Sequence, residues 1–149
     1  MALDLQTISD RIEIEELLVR YSRAIDYRNF HELEGIFTED AEFDGGGLGT
    51  PVGPAAIRGM IEGTLSGLDA TQHLVGKSLI EINGDEAEVR TYLFSQHIRK
   101  DAPGVDHYML GAEYCDRARR TPDGWKLCYR RLDRMWTVGD RAVIAGRPQ

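Results

Sequence analysis

The chain has few of the residues that build metal sites, membrane spans or secretion signals. Only two of its 149 residues are cysteines, Cys115 and Cys128, and no CxxC spacing or Cys/His cluster suggests a zinc site. No apolar run approaches the roughly 18 residues of a membrane-spanning helix. The first residues, MALDLQTISDRIE, lack the cationic segment and apolar stretch of a signal peptide. We therefore expect a cytoplasmic protein with reduced thiols in its core, no metal, no cofactor and no membrane contact.

An excess of basic charge is also missing. The formal net charge is −7 and the pI is near 5.1, whereas a nucleic-acid surface needs a basic stripe. Hydrophobic residues make up 42% of the chain and charged residues 29%, which is ordinary for a soluble globular protein. Because no linker, repeat or low-complexity tract interrupts the sequence, we expect one domain over residues 1–149 with a single core.

The first half of the chain has helical periodicity. Residues 7–10 (TISD) match a capping box, and apolar residues then recur at helical spacing, which predicts a first helix over about residues 8–27. Residues 29–37 predict a short second helix, and residues 41–44 predict a short strand. Pro54 suits the first turn of a third helix that runs to about residue 65.

From residue 71 onward the pattern is that of strands. Residues 73–82 predict a long strand, and the Asn-Gly that follows it is the strongest short hairpin signal. Further strands are predicted over about residues 86–99, 107–120 and 125–138, with a turn at residues 121–124. Helices followed by long hairpins indicate an α+β fold, in which a curved, mostly antiparallel sheet wraps around the first helix as a cone-shaped roll. Such a cone has an apolar interior and one open mouth for a small ligand.

Two residues far apart in the chain are candidates for a catalytic pair. Asp26 lies near the end of the first predicted helix, on its inner side, where a carboxylate needs a partner. His73 opens the first long strand, and a neutral imidazole oriented by a carboxylate is the commonest general base near pH 7. If the fold brings them together, they form a proton-abstracting dyad. Asp26 could instead cap the following turn, and His73 could be an ordinary strand residue.

Three segments resemble the nuclear transport factor 2-like superfamily, and more narrowly its SnoaL-like branch. They are residues 21–33 (YSRAIDYRNFHEL), residues 71–76 (TQHLVG) and residues 123–127 (DGWKL) with Arg134 beyond them. Within this branch the chain is similar to bile acid 7α-dehydratase, scytalone dehydratase and hexachlorocyclohexane dehydrochlorinase, which are small cofactor-free lyases. In those families a His on the first long strand abstracts a proton with help from an Asp at the end of the first helix. His73 and Asp26 match those positions.

The resemblance implies further site residues. Tyr21 and Arg134 match a Tyr and an Arg of the bile acid enzyme, and His97 lies at about the place of a second His in scytalone dehydratase. These three would bind substrate or serve as acid or oxyanion donor. The match to scytalone dehydratase is incomplete, because Ala112 and Tyr114 replace its Ser and Asn. Scytalone itself is therefore not the expected substrate.

The implied function is a dehydratase-type lyase that acts on a small hydrophobic, aromatic or polycyclic, oxygenated substrate. An isomerase or cyclase, a formaldehyde-releasing lyase, or a non-catalytic ligand-binding or assembly module would use the same fold. The resemblance also implies a homo-oligomer, with a trimer favoured over a dimer. The tail over residues 141–149 could close a neighbour's pocket or be disordered.

For several residues the sequence leaves the position or the partner of the side chain open. The side of the strand on which His97 lies depends on its register, and His31 and His107 are expected on the surface or in loops. Alternation puts Arg130 and Arg134 on one face of the last strand, so each needs solvent, a carboxylate or a substrate oxyanion. Residues 45–49 (GGGLG) lack a phosphate-loop spacing and are expected to form a mobile rim beside the pocket mouth.

Overall fold

The computed structural model describes residues 2–145. Its elements, in chain order, are α1 (Leu5–Asp26), a 3₁₀ helix (Phe30–Gly35), β1 (Phe37–Asp44), α2 (Pro54–Leu65), β2 (Ala70–Val75), β3 (Leu79–Asn83), β4 (Glu86–Ile98), β5 (His107–Thr121), β6 (Gly124–Gly139) and a final 3₁₀ turn (Arg141–Val143). No helix within the described residues is long and apolar enough to cross a membrane.

The strands form one curved sheet of six strands in the order β1-β6-β5-β4-β2, with β3 paired to the other half of β4. Only β1 and β6 run parallel, and the remaining pairs are antiparallel. The helix α1 packs inside this sheet, against β2 and β6. The α+β cone predicted from the sequence is therefore confirmed.

The first helix starts earlier than the sequence predicts. Asp4 is its N-cap, since its carboxylate accepts the Thr7 backbone N–H at 2.7 Å. The predicted capping box over residues 7–10 is wrong, because Asp10 is buried and accepts two hydrogen bonds from Arg120, at 2.7 and 2.8 Å. A buried carboxylate that meets a bidentate guanidinium gains more there than at a solvent-exposed helix end.

The long strand predicted over residues 73–82 is two strands. The chain leaves the sheet at residues 76–78, where the Ser78 hydroxyl bonds the Thr91 hydroxyl at 2.7 Å instead of continuing the ladder. The expectation of thiols in the core also needs correction, because Cys115 and Cys128 are free thiols that are only partly buried. His107 is the first residue of β5, and 36% of its side chain is exposed, which agrees with a surface position.

Side chains of β4 alternate strictly between the interior and the exterior of the cone. Ala87, Val89, Thr91, Leu93, Ser95 and His97 are all buried, whereas the residues between them are more exposed. The register of β4 therefore places His97 inside the cone, which the sequence left open.

An unusual backbone conformation ends α1 and fixes the position of Asp26. Arg28 has φ of 59°, a left-handed conformation that reverses the chain, and the Asn29 N–H closes this turn on the Ala24 carbonyl at 2.8 Å. The Arg28 guanidinium donates to the Leu68 carbonyl, two residues before β2 begins. The end of α1 is thereby tied to the start of the strand that carries His73.

Candidate active site

Asp26 and His73 lie in direct contact, and the carboxylate holds His73 at two points. Asp26 Oδ1 is 2.7 Å from His73 Nδ1, and Asp26 Oδ2 accepts the His73 backbone N–H at 2.8 Å. Both side chains are largely buried, with 7% of the His73 side chain and 15% of the Asp26 side chain exposed. Because Asp26 accepts at Nδ1, the neutral imidazole carries its proton there and leaves the Nε2 lone pair free.

His73 lines a cavity between α1, α2 and the inner face of the sheet. Most of the wall is apolar, as the sequence predicts, and the aliphatic and aromatic part consists of Ile25, Phe43, Leu48, Met60, Ile61, Leu65, Leu110, Leu132 and Ile144. The polar part consists of Tyr21, Thr64, His73, Ser95, His97, Tyr114 and Arg134. The cavity volume is about 60 Å³. This is well below the roughly 150 Å³ that holds a benzene molecule in a protein interior, so a ring-sized ligand requires part of the wall to move.

His97 lies beside His73, with ring centroids 5.4 Å apart and the two rings nearly perpendicular. Its Nδ1 is 3.1 Å from the Tyr108 carbonyl oxygen and therefore carries the proton. Burial, followed by the proximity of His73, lowers the pKa of His97 to about 4. The residue is neutral at pH 7 and offers a second Nε2 lone pair to the cavity.

Tyr21 belongs to a buried group of four residues at the inner end of the cavity. The Arg130 guanidinium lies over the rings of both Tyr21 and Tyr114, with its Cζ 4.2 and 3.7 Å from their centroids. Asp116 accepts two guanidinium hydrogen bonds, at 2.8 and 2.7 Å, and neither side chain of this ion pair is exposed. Burial disfavours the charge on Arg130, but Asp116 more than offsets this and raises the pKa of Arg130. Burial also raises the pKa of Tyr21, so its hydroxyl is protonated and can donate.

Arg134 lies at the mouth of the cavity, on the same face of β6 as Arg130. Its guanidinium donates to the Gly46 carbonyl and, at 3.3 Å, to the Gly45 carbonyl. Gly46 has φ of 59°, a left-handed conformation that favours glycine, and a Cβ added there would lie 3.1 Å from the Leu132 carbonyl oxygen. The glycine-rich rim over residues 45–49 is thus located beside the mouth, as predicted, and Arg134 holds it there.

Two features of the site were not predicted from the sequence. Ser95 was given no role, yet this buried residue lines the cavity and its hydroxyl has no hydrogen-bond partner within residues 2–145. The alternation along β4 was a usable signal, because it puts Ser95 on the same face as His97. Alternation placed Arg130 on the face of Arg134, but the bulge at Cys128, which lets Trp125, Leu127 and Arg130 share the inner face, was not predicted. Among residues 2–145, no three His, Cys, Asp or Glu side chains are grouped so that they could hold a metal ion.

A curved sheet around one helix, with a His–Asp pair beside an apolar cavity, defines a nuclear transport factor 2-like fold with a small-molecule catalytic or binding site. Residues 6–131 match the SnoaL-like domain, and the chain belongs to this family. It is 36% identical over 130 residues to the uncharacterized protein Rv2910c of Mycobacterium tuberculosis (strain ATCC 25618 / H37Rv), covering 86% of this chain and 87% of that protein.

Solved structures give the same fold. A protein of Novosphingobium aromaticivorans described as a candidate aromatic ring hydroxylase matches at a TM-score of 0.82 with 29% identity, covering 92% of this chain and 97% of its own. A scytalone dehydratase-like protein of the same organism matches at 0.82 with 23% identity, covering 91% and 90%. Type 2 of the hexachlorocyclohexane dehydrochlorinase LinA, for which no organism is named, matches at 0.84 with 19% identity, covering 98% and 99%. The last two likenesses define the fold alone.

Proposed function

We propose that this protein is a cofactor-independent, dehydratase-type lyase that acts on a small hydrophobic, oxygenated, ring-containing substrate. His73 is the general base and Asp26 is its orienting partner. The observation that carries the proposal is the double contact of Asp26 with His73, which leaves Nε2 as the ring atom available to substrate at the cavity wall. The names of two structural neighbours, a dehydrochlorinase and a scytalone dehydratase-like protein, agree with elimination chemistry.

In the proposed reaction, His73 Nε2 takes a proton from a carbon next to a carbonyl or an activated aromatic system. The electrons of the C–H bond form a double bond, and the C–O bond on the neighbouring carbon breaks. The departing hydroxide takes up a proton and leaves as water. Asp26 stays ionised and stabilises the imidazolium that forms on His73.

Tyr21 and Arg134 are the proposed donors to the oxygen that gains charge. Tyr21 is suited to this because its buried hydroxyl is protonated, and Arg134 because its Nε has no protein partner among the described residues. The neutral state of His97 argues against its service as an acid, so we assign it to substrate binding. The same groups would also support an isomerisation, a cyclisation or the loss of formaldehyde.

A non-catalytic ligand-binding or assembly module is the second candidate function. The small cavity favours the assembly role over ligand binding, because about 60 Å³ is room for a few water molecules at most. The candidate ring hydroxylase among the neighbours is named for a different reaction from the lyases. Three groups around the apolar cavity argue against a passive role: the base His73, the cation Arg134 and the acid Asp26. Such groups are costly to bury without a function.

A substrate screen tests the proposal. Purified protein is incubated with hydroxylated aromatic and steroid-like compounds, and mass spectrometry follows the loss of water or formaldehyde. We expect turnover by the wild type and none by His73→Ala, with circular dichroism showing that the variant is folded. Equal turnover by His73→Ala would exclude the base assignment. Binding without turnover of any compound would favour the module.

We also propose that the protein forms a cytoplasmic homo-oligomer, with a trimer favoured over a dimer. The support is an apolar patch on the outer face of the sheet, where Tyr92, Met135 and Trp136 are 63%, 61% and 47% exposed and Phe94 stacks on Trp136. Light scattering coupled to size exclusion measures the assembly. A monomer at micromolar concentration would contradict it. Of the predicted tail, residues 146–149 lie outside the described residues.

A further inference from the structure

The Ser95 hydroxyl is a buried polar group at the cavity wall that no atom of residues 2–145 satisfies. Ser95 is 1% exposed, and its Oγ has no hydrogen-bond partner in the part of the chain that the structure describes. An unpaired buried hydroxyl costs free energy, so natural proteins seldom keep one without a use. Thr64 on the same wall is different, since its hydroxyl donates to the Met60 carbonyl at 2.9 Å.

The sheet places Ser95 beside both histidines. Ser95 is directly opposite His73 in the register of β2 and β4, and residues so paired have Cβ atoms about 4.5–5.5 Å apart. His97 is two residues further along β4, on the same inner face. The Tyr108 carbonyl accepts at His97 Nδ1, so the His97 Nε2 is an acceptor with no proton of its own. The Ser95 hydroxyl, which can donate a hydrogen bond, therefore lies near His97 Nε2, which can only accept one.

We propose that Ser95 and His97 form a subsite that recognises a neutral hydroxyl group of the ligand. The Ser95 O–H donates to the oxygen of this group, and the group donates its own proton to His97 Nε2. The subsite adds a substrate class to the proposed function, and it rests on that function for the identity of the reacting site. It assigns the substrate class as an alcohol or phenol that carries one hydroxyl next to the carbon facing His73.

A carbonyl oxygen does not fit this subsite as well as a hydroxyl does. It could accept from Ser95, but it would leave His97 Nε2 without a donor in a dry cavity. An anion would meet the His97 lone pair and be repelled. The hydroxyl bound here is also not the leaving group, because neither neighbour has a proton to release readily at neutral pH. It stays on the product.

Binding of phenol and toluene tests the subsite without reference to turnover. The two ligands have nearly the same size, and only phenol has a hydroxyl. Dissociation constants are measured by calorimetry or by protein NMR for the wild type and for Ser95→Ala. We expect the preference for phenol over toluene to fall about 3- to 10-fold in Ser95→Ala, as the loss of one neutral hydrogen bond implies. Thr64→Val removes a satisfied hydroxyl from the same wall and should leave the preference unchanged.

The imidazole nitrogens provide a second readout. In a long-range ¹H–¹⁵N spectrum, phenol should shift the His97 Nε2 signal upfield, as expected when this nitrogen accepts a hydrogen bond, and toluene should not. Ser95→Ala should keep or raise the melting temperature, because the hydroxyl that it removes has no protein partner. A purely structural serine would instead destabilise the protein when replaced.

Several results would overturn the subsite. One is an unchanged phenol preference in Ser95→Ala, and another is a His97 Nε2 signal that does not shift when phenol binds. A third is the failure of phenol to bind both the wild type and Ile144→Ala, in which the cavity is enlarged. None of these touches the lyase proposal, which depends on the turnover of the His73 variants.

Discussion

The carboxylate of Asp26 accepts both hydrogen bonds that His73 can donate from its backbone and its Nδ1, one on each oxygen. The backbone contact holds the middle of β2 against the end of α1, and the side-chain contact fixes the rotation and the tautomer of the ring. Since Asp26 is the last residue of α1, the geometry of the base depends on how the helix docks on the strand. Arg28 and Leu68 secure that docking from the other side of the turn.

Replacing Asp26 with Asn should distinguish the role of Asp26 in orienting His73 from its contribution to folding stability. Asn keeps one acceptor oxygen, so only one of the two contacts is retained, and the loss in the free energy of unfolding should be about 1–2 kcal/mol. If the amide nitrogen faces His73 Nδ1, the ring takes the wrong tautomer. We expect turnover of a substrate found by the screen to fall about 10²- to 10⁴-fold.

Asp69→Asn is the matched control for Asp26→Asn. Asp69 also accepts a backbone N–H, from Lys100 at 2.7 Å, but it does not line the cavity. Because Asp69 is exposed, its replacement should lower the free energy of unfolding by about 1 kcal/mol or less and leave turnover within about twofold. Full activity in Asp26→Asn would exclude the orienting role.

The pairing of Asp26 with His73 could be predicted, because a resemblance to known folds linked two distant segments. The inward position of His97 was also accessible, since alternation through Ala87, Val89 and Leu93 sets the face of β4. Alternation also puts Arg130 on the face of Arg134, but it does not hold along the whole of β6. Continued alternation from Trp125 and Leu127 would point residue 129 inward, but the bulge at Cys128 shifts the pattern by one. A bulge depends on the fit of two strands, which a local pattern in one strand does not report.

Breaking the buried Arg130–Asp116 pair should strongly destabilise the fold. Arg130→Met leaves the Asp116 carboxylate uncompensated in a site with no exposed side-chain surface, and the loss should be about 3–5 kcal/mol. Arg130→Met combined with Asp116→Leu should recover much of this loss, since no charge is then left unpaired. Urea denaturation measures all three proteins.

The neighbouring pair Arg131–Asp133 supplies the control for the buried pair. It has the same bidentate form, at 2.7 and 2.9 Å, but its side chains are 44% and 42% exposed. Arg131→Met should change the free energy of unfolding by less than about 1 kcal/mol. Equal effects of Arg130→Met and Arg131→Met would refute the view that burial makes the inner pair critical.

The low pKa of His97 predicts an acid-sensitive fold. In the unfolded chain this residue takes up a proton near its usual pKa of 6.5, but in the folded protein it does so only near pH 4. Between these values the unfolded state binds more protons, so stability is complete above about pH 6.5 and falls as the pH drops toward 4. The contribution is on the order of 2–3 kcal/mol.

His97→Asn should remove this part of the pH dependence. Its side-chain amide can still donate to the Tyr108 carbonyl but does not titrate. Chemical denaturation at pH 7.5, 6, 5 and 4.5 should therefore give a shallower decline in the variant than in the wild type. Parallel declines would mean that another group is responsible.

The small volume of the cavity is the basis of the last prediction. Ile144 closes one side of the cavity and belongs to a C-terminal segment. Two contacts hold this segment in place: the cap formed by Asp140 and a hydrogen bond of 3.1 Å from Arg99 to the Ala145 carbonyl. Ile144→Ala removes three carbon atoms from the wall and should move the cavity toward the roughly 150 Å³ that accepts a benzene ring. We expect toluene, followed by protein NMR, to bind at least about 10-fold more tightly to Ile144→Ala than to the wild type.

Val143→Ala distinguishes cavity volume from a loosened segment. Val143 is also buried, at 1% exposure, and belongs to the same turn, but it does not line the cavity. Both substitutions weaken the packing of the segment, whereas only Ile144→Ala enlarges the space next to the two histidines. Tighter toluene binding confined to Ile144→Ala would identify the side-chain volume as the limit on ligand size. The same gain in Val143→Ala would show that detachment of the segment, and not the volume of Ile144, controls access to His73.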